Sequence, residues 1–186
     1  MTLSGLRTEC QTCSGWANFA GRTTVIDGET YAVAYCPQCR VDIYFWSPTV
    51  EESLPAFRRA GELKTIAIRL CGVASGAENE IHTALVLPTT PPPLGARECL
   101  ITGGVLSRAS VELRFAPGQL ARGDLDSVLG HSNALPRTGP GAAHNLVYAV
   151  RVDGSPASVS VFASFRELPQ ATSDVKGVLL RIDPAG

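Results

Sequence analysis

Cysteine is the residue type in this sequence best placed to do chemistry, and four of its six cysteines stand in two matching pairs. Cys10-Gln-Thr-Cys13 is followed, after twenty-two residues, by Cys36-Pro-Gln-Cys39. A two-residue spacer lets both thiolates of a tight turn point at one ion while N–H groups of that turn hydrogen-bond the sulfurs, so two such pairs complete a tetrahedral site. Four thiolates leave no open coordination position. The expected cofactor is therefore one structural Zn2+ held by Cys10, Cys13, Cys36 and Cys39, contributing folding energy instead of catalysis. Disulfides, buried thiols, a redox dithiol and a thiolate-bound iron are the competing readings of the same residues.

The pairs must be brought together by the chain between them. Thr23 to Tyr35 holds two β-prone runs around Asp27-Gly28, a strong signal for a two-residue hairpin that returns the second pair to the first. Beyond it, Val41, Ile43 and Phe45 alternate with Asp42, Tyr44 and Trp46, as in a strand with one buried face. This order of knuckle, hairpin, knuckle and strand resembles a zinc ribbon over residues 7–47. Zinc ribbons commonly carry glycine just after the second knuckle, where Arg40 stands here. As a group they serve nucleic-acid binding, protein contacts or stabilisation alone, so the resemblance implies a metal chemistry and not a role. Trp16, Phe19, Tyr44 and Trp46 are either an aromatic contact surface or, the expected use, packing onto the neighbouring domain.

After the connector from Ser47 to Glu52, Ser53 is placed to cap a short helix that Gly61 ends, with Pro55 in its first turn. Strands are expected at Lys64–Cys71, Ile81–Leu87, Cys99–Gly103, Ser110–Phe115, Asn145–Val152, Ser158–Phe165 and Val178–Ile182. Asp153-Gly154 joins two of them, Pro88–Gly95 reads as an extended loop, and Asp124 is placed to cap a helix over Leu125–Leu129. The glycine- and proline-rich stretch from His131 to His144 is the longest irregular segment and the natural partner-binding loop. The expected fold is mainly β: a zinc-ribbon module over 1–47, a connector with a short helix over 48–62, and an antiparallel β-sandwich or barrel over 63–186, with one or two short helices in all.

Composition bounds the function. Hydrophobic residues at 45% and charged residues at 18% fit a folded chain and argue against extended disorder. A net charge of −1, with Arg58-Arg59 the only adjacent basic pair, disfavours dedicated nucleic-acid binding. No stretch has the length of a membrane span, and the N-terminus lacks the pattern of a signal peptide, so the expected location is intracellular, cytoplasmic or nuclear, or within an assembled particle. The only histidines are His82, His131 and His144, none in a telling motif, and Cys71 and Cys99 sit among apolar strand-like residues. These readings favour a non-enzymatic, zinc-stabilised protein that binds a protein partner or its own copies as a component of an assembly, a viral or phage particle (virion) being one such assembly. A nucleic-acid-binding ribbon, favoured if Arg7, Arg22 and Arg40 share a face, is the second reading. The third is a hydrolase built from Cys71, Cys99 or Ser132 with a histidine.

Overall fold

Two antiparallel sheets and three α-helices organise the chain in the structure, a computed structural model that describes residues 3–85, 92–139 and 141–185. The first sheet grows out of the cysteine hairpin. Its strands are β1 (Arg7–Glu9), β2 (Trp16–Ile26), β3 (Glu29–Cys36) and β4 (Val41–Phe45), in that spatial order. Between β2 and β3, Asp27 and Gly28 both have positive φ (51° and 84°), the turn whose twist matches that of the flanking strands. β1 was not legible beforehand, because Arg7-Thr8-Glu9 has no apolar alternation to announce it.

The next element differs from its sequence reading. Instead of a short helix over 53–61 and a strand over Lys64–Cys71, one helix, α1 (Pro48–Leu70), runs through both. Its cap is Ser47, whose hydroxyl accepts from the Val50 N–H at 3.2 Å, while Ser53 is buried inside the helix. Ile66, Ile68 and Leu70 do alternate, but Leu63, Ile66, Ala67 and Leu70 also fall at helical spacing and continue the stripe begun by Val50, Leu54, Phe57 and Ala60. That stripe is buried, whereas Ile68 is exposed. Burying one continuous face outweighs the roughly 1 kcal/mol that Gly61 costs the helix interior. Likewise the expected strand Ile81–Leu87 is a helix, α2 (Glu78–Leu85), which buries Ile81 and Leu85 four residues apart; Val86 and Leu87 lie outside the described residues. Of the expected loop Pro88–Gly95, residues 88–91 also lie outside them, and Pro93–Gly95 forms a single 3-10 turn.

The second sheet has six strands: β5 (Glu98–Thr102), β6 (Ser110–Arg114), β7 (Asn133–Ala134), β8 (His144–Val150), β9 (Ala157–Phe165) and β10 (Gly177–Pro184), ordered β5-β6-β10-β9-β8-β7. Between β6 and β7 lies α3 (Arg122–Leu129). The long β9 alternates strictly, burying Ala157, Val159, Val161, Ala163 and Phe165. On that side the sheet packs against Leu63, Ile66 and Leu70 of α1, Ile81 of α2 and Leu125 of α3 in one core. Thus the chain is mainly β, with a helical layer against its larger sheet. The N-terminal half of α1 serves the other sheet: Val50, Leu54 and Phe57 pack on Leu3, Ala32, Phe19 and Phe45, with Phe19 and Phe57 edge to face at 5.3 Å. α1 therefore lends one face to two cores, across the boundary drawn between residues 62 and 63. No described helix is long and apolar enough to cross a membrane.

Candidate metal centre

The two knuckles are built alike. The Ser14 N–H bonds the Cys10 carbonyl and the Arg40 N–H bonds the Cys36 carbonyl, each at 2.8 Å. Ser14 and Arg40 both take positive φ, 53° and 57°. Arg40 thus adopts the left-handed backbone for which glycine is the usual choice, and the turn keeps its shape at a cost of about 1 kcal/mol. The Cys10 N–H also bonds the Gly15 carbonyl at 2.8 Å, closing the first knuckle on the start of β2. Pairing of Cys36 with Val41 and of Glu9 with Trp16 fixes the knuckles to the strands on either side.

The structure brings the four expected ligands together. Cys10, Cys13, Cys36 and Cys39 place their sulfurs within 4.8 Å of one another, with Cys13 to Cys36 at 3.6 Å and Cys10 to Cys39 at 3.9 Å. Sulfurs about 2.3 Å from one ion at tetrahedral angles would be about 3.8 Å apart, so the cluster is compatible with a single metal ion. All four are free thiols, not disulfides. Backbone N–H groups of Cys13 and Thr12 draw the Cys10 thiol down to about 6, whereas hydrogen bonding with Cys13, burial and the Cys10 thiolate push Cys39 up to about 12. Four like charges this close cannot all form unaided, and a bound cation is the group that would permit it. Behind the sulfurs lies little apolar support: Ala17, Ala34, Ile43 and Phe45.

The side of this sheet facing away from the core carries most of its aromatic surface. Strand register puts Trp16, Tyr35 and Tyr44 on that face, 56%, 43% and 53% exposed, while Trp46, 51% exposed, follows the end of β4 and lines a depression with Leu54, Pro55 and Arg58 of α1. Phe19, grouped with them from sequence, points the other way into α1. Packing onto the neighbouring helix therefore describes Phe19 and not Trp16 or Tyr44, while Tyr35 was missed because only the β3–β4 register reveals its face. Arg7 stacks over Trp16 at 4.8 Å, and Arg22 pairs with Asp42.

The residues considered for hydrolysis do not assemble. Among the described residues no histidine nitrogen hydrogen-bonds Cys71, Cys99 or Ser132. Cys71 is buried and donates to the Val150 carbonyl at 3.6 Å, and burial raises the thiols of both Cys71 and Cys99, which stabilises their unreactive form. Ser132 and His144 line one small depression of about 180 Å³ without a hydrogen bond between them, and His82 faces Glu78 on α2. Asp124 and Asp126, close to Ser132 in sequence, are structural: Asp124 accepts from the Ala121 N–H at 3.1 Å within the first turn of α3, and Asp126 accepts from Tyr148 and Arg122 at 2.8 and 3.2 Å. The helix starts at Arg122, so Asp124 lies inside it and not at its cap.

No family model matches this chain, and no curated protein or solved structure is significantly similar to it.

Proposed function

We propose that this chain is a non-enzymatic, zinc-stapled β protein that binds another protein, or further copies of itself, as a structural component of an assembly. The reading rests on one observation: Trp16, Tyr35 and Tyr44 stand exposed on one face of the sheet whose end carries the four clustered cysteines, with Trp46 exposed just past its last strand. Zinc is the ion of choice because four thiolates at tetrahedral spacing suit its preference and leave no site for substrate. The metal would then hold a contact surface in shape. Exposed tryptophan, tyrosine and arginine together form the composition that dominates protein interfaces. Arg7 and Arg22 share this face with the acids Glu9 and Asp42, and Asp42 pairs with Arg22, which leaves no excess of cations among these strand residues to displace counterions from a nucleic-acid backbone.

The test is to measure the mass of the pure protein by light scattering and to capture partners from its native source, with wild type beside a Tyr44→Ala/Trp46→Ala variant. A self-association or a captured protein that the variant loses, with metal content unchanged, supports the proposal. A monomer that captures nothing, or a partner that the variant holds equally well, contradicts it. Salt-dependent retention on heparin or DNA, absent on this reading, would transfer support to nucleic-acid binding.

A further inference from the structure

Far along the chain from the cysteines, the second sheet ends in a cleft of about 500 Å³, within the range of small-ligand sites. β6 and β9 finish here and β10 begins, so its walls come from the segments just outside three paired strands. Phe115, Phe165 and Val175, all buried in the core, form its apolar side. Arg97, Arg166 and Lys176 surround the opening, exposed to solvent. Each lacks a carboxylate within ion-pair distance and a side-chain hydrogen bond among the described residues. Two acids, Glu167 and Asp174, share the rim, and the Gly118 N–H holds Asp174 at 3.0 Å, so three cations stand against two anions.

The backbone that carries these cations is tied down. The Arg97 N–H bonds the Arg114 carbonyl at 2.7 Å, the Lys176 N–H bonds the Ser164 carbonyl at 2.9 Å, and the Phe115 N–H bonds the Lys176 carbonyl at 3.1 Å. Two of the three charges are thus borne by main chain fixed to the sheet, so little ordering would be needed on binding. We propose that this cleft binds a small organic anion, with its charged group among Arg97, Arg166 and Lys176 and an apolar or aromatic body against Phe115, Phe165 and Val175. The guanidinium groups suit a carboxylate, phosphate or sulfonate, each of which can accept two parallel hydrogen bonds. This site is independent of the metal and of the aromatic face.

The probe is 1-naphthyl phosphate titrated into the full zinc-loaded chain, with inorganic phosphate and 1-naphthol as the headgroup-only and body-only arms. Saturable binding of 1-naphthyl phosphate at least tenfold tighter than either fragment is expected, weakening as salt rises. The Arg97→Gln/Arg166→Gln/Lys176→Gln variant should lose at least tenfold in affinity, while Arg151→Gln, an exposed cation elsewhere, should not change it. Amide shifts in the wild-type NMR spectrum should centre on 165–167 and 173–176, a readout that stands even if the triple variant fails to fold. No saturable binding, equal affinity for a fragment, equal binding by a folded triple variant, or shifts centred elsewhere would each overturn the proposal.

Discussion

Asp124 is a buried acid at 1% exposure whose replacement by asparagine should stabilise the protein at neutral pH. One carboxylate oxygen accepts from the Ala121 N–H, while the other has no partner among the described residues. Burial pushes its pKa from 3.8 up to about 6, although the Ala121 N–H and Arg59 pull the other way. The folded state therefore holds the proton more tightly than the unfolded chain. Stability contributed by the protonated form is complete below about pH 4 and is lost as pH rises through about 6. At about 1.4 kcal/mol per pKa unit, the ionised side chain costs about 3 kcal/mol at pH 7.5. Asp124→Asn removes the charge and keeps the acceptor for Ala121, but places an amide where the partnerless oxygen lies, which returns about 1 to 2 kcal/mol of that gain. A net gain of about 1 to 2 kcal/mol remains, raising Tm by roughly 2 to 8 °C for a chain of this size. Thermal melts of both proteins between pH 4 and 8 test it, since any metal loss in acid is common to the two. The gain should be largest above pH 7, shrink as pH falls through about 6, and turn into a loss of about 1 kcal/mol near pH 4, where only the misplaced amide remains. A variant that is less stable at every pH, by an amount independent of pH, would refute the reasoning.

Other perturbations have equally definite outcomes. Arg40→Gly relieves a left-handed residue at φ 57° and should stabilise the metal-loaded protein by about 0.5 to 1 kcal/mol in denaturant melts, less any gain in unfolded-chain freedom. Gly21→Ala should cost about 1 to 3 kcal/mol in the same assay: Gly21 has φ +70° at the β2 bulge, and an added Cβ would sit 3.0 Å from the Ser127 carbonyl of α3. Tyr148→Phe leaves Asp126 without its buried donor and should cost about 1 to 2 kcal/mol by urea unfolding. Replacing Cys36 with serine should abolish metal retention and melt β1–β4 while β5–β10 keep their amide protection in hydrogen exchange.

The four-cysteine cluster was legible because the pattern is local: two turns of fixed spacing carry it, and Asp27-Gly28 announces the hairpin that joins them. The larger sheet was legible from residues such as Val159, Val161 and Ala163, whose alternation has only one sensible period. The segment 64–71 defeated the same method, because Ile66 and Leu70 satisfy a strand and a helix equally. Only its continuity with Leu54, Phe57 and Ala60, hidden by reading Gly61 as a stop, decides for the helix. Ile81 and Leu85 were ambiguous for the same reason, being too few to define a period. Surfaces made by register stayed out of reach. Tyr35 joins Tyr44 on one face only through the offset of β3 and β4, and Arg97 meets Lys176 only because β5, β6 and β10 are neighbours.

The central claim is that four cysteine sulfurs share one zinc ion. X-ray absorption at the zinc edge of the purified protein, with metal content measured on the same sample, tests it most directly. One equivalent of zinc with four sulfur neighbours at about 2.3 Å is the result predicted. A metal-free protein whose first sheet is nonetheless folded, or a zinc shell containing nitrogen or oxygen ligands in place of any of the four sulfurs, would contradict it.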